Sequence, residues 1–142
     1  MGMYNKTVLD HFQNPRNVGK LENPSAKGEV GNPACGDMMY MYLKIKRNRQ
    51  DKEYIDDIKF NTFGCGAAIA TSSMLTEIAK GKTLEELLAV GETKKQRIKV
   101  LKDQIISELG ELPSIKIHCS ILAADALYDA IDNYYGIQKE EK

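Results

Sequence analysis

The chain has 142 residues, of which 42% are hydrophobic, and this is enough apolar surface for one domain with its own core. Twenty Lys and Arg residues balance twenty Asp and Glu residues, so the net charge indicates no nucleic-acid partner. Three cysteines are an odd count without a secretory segment, and no apolar run reaches the length of a membrane span. We therefore expect a cytoplasmic protein whose cysteines are thiols or metal ligands.

The N-terminal part of the chain predicts a helix followed by a long loop. Tyr4, Val8 and Phe12 recur at helical spacing, and Asn14-Pro15 ends the helix because the residue before a proline avoids the α conformation. From there to Ala34 the chain is rich in Asn, Pro and Gly. This composition predicts an extended segment with several turns, and its length favours a functional loop.

A β-hairpin is predicted next. Apolar and polar residues alternate over residues 39–46 and again over residues 58–62, with polar turn residues between the two runs. The alternation indicates one buried face, and we assign Met39 and Met41 to that face rather than to a metal site.

The second half of the chain predicts helices. Small and apolar side chains follow helical spacing over residues 67–80, and Gly81 then ends the helix. Thr83 and Glu86 have the spacing of a capping box, so another helix begins there. Apolar stripes predict two more helices, Ile98 to Leu109 and Ile121 to Tyr135. Strands before helices is an α+β order, and we expect one domain over residues 1–142 with a flexible N-terminus and a charged tail from about residue 138.

The three cysteines fall at the junctions of these elements. Cys35 precedes the first long strand, Cys65 lies between a strand and a helix, and Cys119 opens the last helix. Single cysteines are commonly small buried hydrophobes, but here each has a glycine or a histidine beside it. Asp37 and His118 are close to cysteines as well. Thiolate, carboxylate and imidazole are all metal ligands, so the set predicts a metal or cluster site.

Helix termini add a prediction about reactivity. Cys65 and Cys119 would lie near helix N-termini, where the dipole favours thiolate, so we expect both to be more nucleophilic than a buried cysteine. His11 has no cysteine nearby in the sequence, and we assign it a structural role.

Four motifs, in order along the chain, resemble the signatures of the IscU family of iron–sulfur cluster assembly scaffolds, which also forms the N-terminal domain of NifU. They are Asn14-Pro15-Arg16-Asn17-Val18-Gly19, Ala34-Cys35-Gly36-Asp37, Gly64-Cys65-Gly66-Ala67-Ala68-Ile69-Ala70 and Lys116-Ile117-His118-Cys119-Ser120-Ile121-Leu122-Ala123. The resemblance runs from about Tyr4 to Tyr135. It implies a SufE/NifU-like α+β fold, with a small antiparallel sheet of about three strands packed against several helices. His118 distinguishes the chain from the related SufU scaffolds, which lack that histidine.

The resemblance implies that Cys35, Cys65 and Cys119 bind a [2Fe-2S] cluster, with Asp37 or His118 as the fourth ligand. The family builds the cluster from ferrous iron and from persulfide sulfur delivered by an IscS/NifS-like cysteine desulfurase, often with electrons from a ferredoxin. It then passes the cluster to apo iron–sulfur proteins. Cys119 is our choice for the persulfide acceptor, and Lys116 would assist by favouring anionic sulfur. Such a protein is a scaffold rather than an enzyme, and a homodimer that shares clusters is left open.

One segment departs from the family pattern. Members that work with a dedicated Hsp70 chaperone share a Leu-Pro-Pro-Val-Lys sequence, whereas this chain has Leu112-Pro113-Ser114-Ile115-Lys116. The peptide-binding groove of the chaperone recognises an extended segment, and the loss of one proline makes the extended conformation less fixed. Dependence on this chaperone is therefore in doubt. The stretch from Gly91 to Glu111 is also longer than in the shortest members, which would reshape a partner surface.

Two other functions fit part of the pattern. A tetrahedral zinc site could be formed by ligands from the same set, which is Cys35, Asp37, Cys65, His118 and Cys119. The protein would then be a structural zinc-binding module. Structural zinc sites favour paired ligands such as Cys-x-x-Cys, and the sequence has none. A cysteine hydrolase with Cys119 as nucleophile and His118 as base is least favoured, because adjacent residues at a helix start point in different directions.

Overall fold

The computed structural model describes residues 6–32, 37–62, 66–110 and 117–136. Tyr4, Cys35, Cys65, Lys116 and the segment Leu112 to Lys116 lie outside these residues, and of Asp37 and His118 the structure describes the backbone. The helices and strands in chain order are α1 (Lys6–Gln13), β1 (Ala26–Asn32), β2 (Asp37–Arg47), β3 (Glu53–Thr62), α2 (Gly66–Ala79), α3 (Leu84–Leu88), α4 (Lys94–Leu109) and α5 (Ile117–Tyr134).

The three strands form an antiparallel sheet in the order β1-β2-β3. Met39, Met41 and Leu43 of β2 are fully buried, which confirms the predicted core face of the hairpin. β3 begins at Glu53, five residues before the alternating run at 58–62. Strands precede helices except for α1, so the α+β prediction is confirmed.

β1 was not visible in the sequence pattern, which indicated only loops there. Its sequence, Ala-Lys-Gly-Glu-Val-Gly-Asn, contains two glycines and little hydrophobic alternation. Tertiary contacts hold it in place instead. The backbone N–H of Glu29 donates to Asp129 Oδ2 at 2.9 Å, and Asn133 Nδ2 donates to the carbonyl of Lys27 at 2.7 Å. Helix α5 thereby satisfies backbone groups of an edge strand, which would otherwise be free to pair with another chain.

Gly28 allows this close packing of β1 on α5. A Cβ atom at this position would lie 2.2 Å from the carbonyl oxygen of Ala126 and 2.7 Å from the backbone nitrogen of Ala130. Both are backbone atoms, which cannot move aside as a flexible side chain could. The glycine is therefore required by the close approach of strand and helix.

The helices match the predicted positions closely. α2 ends before Gly81, whose φ of 90° continues the chain in a conformation that favours glycine. The capping box of Thr83 and Glu86 is confirmed at the start of α3. A second capping box, Thr93 with Gln96, begins α4 and was not predicted. No helix among the described residues is long and apolar enough to cross a membrane.

Helix α1 shows a different buried face from the one predicted. Val8 and His11 are buried, whereas Phe12 is 44% exposed. His11 is buried because hydrogen bonds hold this part of the chain against α2. The Nδ1 atom of His11 is hydrogen-bonded to Ser73 Oγ at 2.7 Å, and the backbone N–H of Arg16 donates to the same oxygen at 2.9 Å. This confirms the structural role assigned to His11.

Candidate metal centre

The chain connections that carry Cys35 and Cys65 begin and end at one edge of the sheet. β1 ends at Asn32 and β2 begins at Asp37, and these two residues are paired across the strands. β3 ends at Thr62, which is paired with Met39 near the start of β2, and Thr62 Oγ1 donates to the carbonyl of Met38 at 2.6 Å. The residues on both sides of Cys35, and the strand that leads to Cys65, therefore lie together.

The first turns of α2 and α5 meet beside each other. Thr71 Oγ1 is 3.4 Å from the carbonyl oxygen of Cys119 in α5 and 3.2 Å from the carbonyl oxygen of Ala68 in its own helix, so one hydroxyl is shared between the two helices. The side chains of Ala68 and Cys119 form a small buried cluster apart from the main core. Because α2 begins at Gly66, the residue after Cys65, this contact holds the third cysteine close to the chain that carries the second.

Asp37 and His118 have backbone positions that agree with these junctions. Asp37 is the first residue of β2, and His118 lies in the first turn of α5 beside Cys119. Within the described parts of the chain, no three His, Cys, Asp or Glu side chains are grouped as metal ligands would be. Cys119 is the one predicted ligand whose side chain is described, so the ligand set stays a prediction.

Cys119 is buried, with 1% of its surface exposed. The sequence predicted a thiol at a helix end, and the position of Cys119 in the first turn of α5 confirms this. The sequence also predicted that this thiol is more nucleophilic than a buried cysteine. That prediction is wrong for this conformation, because the sulfur is buried and a reagent in solution cannot reach it. The pattern of residues around Cys119 did not reveal that its side chain faces Ala68 on another helix.

Two neighbouring residues at this position were not singled out by sequence. Thr71 belongs to the run of small and apolar side chains over residues 67–80, and its hydroxyl joins the two helices at the Cys119 carbonyl. The hydroxyl of Ser120 is fully buried and has no hydrogen-bond partner among the described residues. Adjacency to Cys119 was the one sequence signal for Ser120.

The first of the four motifs supports this end of the molecule without contributing a ligand. Asn17, which has a left-handed φ of 62°, donates from Nδ2 to Thr76 Oγ1 on α2 at 2.9 Å. The same residue accepts from the backbone N–H of Phe60 in β3, and Gly19 donates to the Phe60 carbonyl. The loop that follows α1 therefore ties α2 to β3, the two elements that flank Cys65.

Comparison with known proteins places this arrangement in a family. Residues 3–141 match the NifU-like N terminal domain. The chain is 56% identical over 133 residues to the iron–sulfur cluster assembly scaffold protein IscU 1 of Archaeoglobus fulgidus, which covers 94% of this chain and 77% of that protein. It is 46% identical over 138 residues to the scaffold protein IscU of Haemophilus influenzae, covering 95% and 98% of the two chains.

Comparison with solved structures finds proteins of related types. The crystal structure of a NifU-like N-terminal protein from Brucella abortus superimposes with a TM-score of 0.66 at 21% identity, covering 94% of both chains. A SufU-type scaffold structure from Fervidobacterium islandicum gives 0.62 at 21% identity, covering 91% of this chain and 96% of that one. These likenesses confirm the fold, and the sequence identities confirm the resemblance drawn from the four motifs. The chain belongs to the NifU-like N-terminal domain family, together with the IscU scaffold proteins.

Proposed function

We propose that this protein is a scaffold on which [2Fe-2S] clusters are assembled from ferrous iron and persulfide sulfur and then transferred to apo-proteins. The observation that supports the proposal is that β2 and β3 are paired at one sheet edge, that Ser72 Oγ of α2 donates to Met39 Sδ of β2 at 3.3 Å, and that Thr71 of α2 contacts the Cys119 carbonyl of α5. Relatives named as cluster assembly scaffolds at 46% to 56% identity support it. The cluster is the cargo of the protein, loaded and released, so the proposal makes it a scaffold and not an enzyme.

The proposed ligands are Cys35, Cys65 and Cys119, with Asp37 or His118 in the fourth position. Stable electron-transfer clusters usually have four thiolates, and a carboxylate or imidazole in place of one thiolate binds iron less tightly. A mixed ligand set therefore suits a protein that must give its cluster away. Zinc, which accepts the same donor types, is a second metal that this set would hold.

Sulfur enters the proposed reaction by thiol exchange at Cys119. The Cys119 thiolate attacks the terminal sulfur of a persulfide on a cysteine desulfurase, a new S–S bond forms, and the desulfurase cysteine leaves as a thiolate. Each transferred sulfur atom then needs two electrons to become sulfide. For one cluster, two ferrous ions that become ferric supply two of the four electrons, and a ferredoxin supplies the other two. Lys116 would stabilise the anionic sulfur.

The burial of Cys119 sets a condition on this step. With 1% of its surface exposed, the thiol must be uncovered before a partner persulfide can reach it. Opening would break its contact with Ala68 and the shared hydrogen bond of Thr71. We propose that docking of the desulfurase supplies this opening. The persulfide and ferrous chemistry requires reducing conditions, which agrees with a cytoplasmic location.

The test is cluster assembly followed by transfer. The full chain is incubated anaerobically with ferrous iron, cysteine and a cysteine desulfurase, and iron, zinc and acid-labile sulfide are measured per chain before and after exposure to an apo-ferredoxin. Near-equal iron and sulfide that move to the ferredoxin would establish a cluster donor. Tightly held zinc without sulfide would make a structural zinc module the better interpretation.

Two variants sharpen this test. Cys119→Ser should lose the persulfide, seen as the absence of a mass increase of one sulfur atom after incubation with the desulfurase alone. Ser107→Ala, on the exposed side of α4, is the matched control and should keep it. Persulfide retained in Cys119→Ser would move the acceptor role to another cysteine. The size of the loaded protein, measured by light scattering, tests whether a homodimer shares the cluster.

A further inference from the structure

A groove on the outer side of α4 is open in the structure and has no role in the proposed cluster chemistry. It has a volume of about 550 Å³ and runs along the first two turns of α4, where α5 lies beside it. Ile98 and Ile121 supply its apolar lining, and Lys95, Lys99 and Lys102 surround them. We call this feature the α4 groove.

The apolar lining is exposed more than packing requires. Ile121 is 44% exposed, and Ile98 is only half-buried, although the sequence assigned it to an ordinary packing stripe with Leu101, Ile105 and Leu109. The other three members of that stripe are buried, as predicted. Two isoleucines side by side in a concave surface form a small apolar site that a partner side chain could fill.

The charge around the groove is one-sided. Residues 94–102 include five basic side chains and no acidic one. Positive charges at a helix N-terminus oppose the helix dipole, so this arrangement is locally unfavourable for α4. Two of the five basic side chains form contacts that stabilise the fold. Lys94 pairs with Asp125 at 3.6 Å, and Arg97 Nε donates to the carbonyls of Leu88 and Gly91.

The other three basic residues are those that line the α4 groove. Lys99 and Lys102 share one carboxylate, that of Asp103, each at 3.0 Å. Lys95 is exposed and forms no ion pair with any residue that the structure describes. Three ammonium groups against the carboxylates of Asp103 and of Glu92, which precedes the lining residue Thr93, still leave a surplus of positive charge around the apolar lining. An anionic partner would offset that surplus.

We propose that the α4 groove binds an acidic, amphipathic segment of a partner protein, with an apolar side chain between the two isoleucines and carboxylates facing the lysines. A helical segment with Glu or Asp one turn away from Leu or Ile has this complementary pattern. A nucleic acid would not need the isoleucines, and the chain as a whole has zero net charge, which gives no long-range attraction to polyanions. The proposal does not depend on the metal chemistry.

The position of the groove gives the interaction a consequence for the cluster site. Ile121 is two residues after Cys119, a rise of about 3 Å along α5. A segment bound in the α4 groove would therefore lie against the first turns of the helix that carries His118 and Cys119. Because two residues turn a helix by about 200°, the exposed Ile121 faces away from the buried Cys119, and a partner docked there would hold this helix without occupying the site.

The experiment uses the full, metal-free chain and a synthetic helical peptide of about 15 residues, long enough to form a helix, with Leu at helical spacing and Glu at the flanking positions. Binding is measured by fluorescence anisotropy of the labelled peptide and located by amide chemical shifts. We expect shifts confined to the groove residues and weaker binding at high salt, because screening reduces charge attraction.

Two pairs of variants test the two parts of the groove. Lys95→Glu with Lys99→Glu should weaken binding by about tenfold or more, since two attractive pairs become repulsive. Lys20→Glu with Lys80→Glu changes the net charge equally at exposed positions off the groove and should leave affinity within about twofold. Ile121→Ser should weaken binding, whereas Val100→Ser, 42% exposed on another side of α4, should not. Circular dichroism checks that each variant is folded.

Three results would overturn the proposal. An equal loss in both charge-reversal pairs would mean that the peptide binds by net charge alone. Shifts spread over the whole surface would mean that there is no specific site. Tighter binding of a nucleic-acid duplex or of phosphatidylserine vesicles to the same residues, lost in Lys95→Glu with Lys99→Glu, would replace the acidic protein segment by another occupant.

Discussion

We propose that the residue at the start of β2 sets how tightly the cluster is held. Asp37 is the first residue of β2, directly after the connection that carries Cys35. A carboxylate is a harder ligand than a thiolate, and it also attracts water and protons to the site. If Asp37 is close to the cluster, its role is to make the cluster labile.

We expect Asp37→Ala to hold its [2Fe-2S] cluster longer than the wild type and to transfer it more slowly to apo-ferredoxin. The measurement is the decay of the visible absorbance of the loaded proteins, with and without the acceptor. Asp103→Ala, an exposed carboxylate on α4, is the control and should decay like the wild type. Equal decay and transfer rates for Asp37→Ala and the wild type would contradict this role.

Ser120 gives a prediction about stability at the same end of α5. Its hydroxyl is fully buried without a partner among the described residues, and such a group costs about 1 to 3 kcal/mol of desolvation. Ser120→Ala removes the group and leaves the backbone intact, so the free energy of unfolding of the metal-free protein should stay equal or rise by about 1 kcal/mol. Urea unfolding measures it, with the exposed Ser107→Ala as the control. A loss of stability beyond that of the control would show that the hydroxyl has a partner.

At the scale of the elements, α1 and its following loop are fastened to α2 by buried hydroxyls. Ser73 bonds to His11 and to the backbone of Arg16, and Thr76 accepts from Asn17. Helix α2 is thus held from one side by the N-terminal segment and from the other by α5 through Thr71. Because the helix begins directly after Cys65, these contacts determine where the second cysteine connection ends.

The buried His11 makes this fastening dependent on pH. Burial lowers the pKa of His11 below its usual 6.5, and the nearby Arg16 acts in the same direction, while Glu77 and Asp10 partly oppose them. The unfolded chain therefore binds a proton at a higher pH than the folded chain does. Stability from this residue is complete above about pH 6.5 and is lost as the pH falls towards the lowered pKa.

The check is urea unfolding of the wild type and His11→Gln at several pH values between about 7.5 and 5.5, the range in which histidine titrates. The wild type should lose more stability than the variant over this range, because the glutamine side chain cannot take up a proton in the unfolded state. The difference between the two curves isolates His11 from the other titrating groups. Parallel curves would contradict the assignment.

At the scale of the whole molecule, the sequence predicted those features that short segments determine. The alternation in β2, the stripe of α5 and the Thr83 capping box depend on residues a few positions apart, and all three are present. β1 depends on pairing with β2 and on Asp129 of α5, 100 residues away from Glu29. Its own sequence alternates only weakly, and its two glycines favour a loop, so the strand was not predicted.

The candidate site divides in the same way. The position of Cys119 at the start of the last helix follows from local pattern and was predicted, whereas β2 begins at Asp37, two residues before the predicted alternating run. The burial of Cys119 follows from the crossing of α5 and α2, whose contact at Thr71 joins residues 48 positions apart. The floor of the α4 groove likewise needs Ile121 of one helix and Ile98 of another. Such pairings are set by packing between elements, which periodicity within an element does not report.

The proposed ligands lie at three separate junctions of the chain, so metal binding should stabilise the whole fold. Cys35 follows β1, Asp37 begins β2, Cys65 follows β3, and Cys119 lies in α5. A metal that bonds to several of them binds the folded chain much better than the unfolded one, since only folding brings the junctions together. At a hundred times the dissociation constant, such binding adds about 2.7 kcal/mol to the free energy of unfolding.

For a domain of this size, that free energy corresponds to a rise in Tm of roughly 10 °C. We expect the rise when zinc is added to the reduced, metal-free protein, and its loss when a chelator is added. Cys65→Ser should reduce the rise strongly, because it removes one of the thiolate ligands, whereas Ser107→Ala should keep it. Zinc that binds at one equivalent per chain without changing the Tm would mean that its ligands belong to a single segment, and the three junctions would then not form one metal centre.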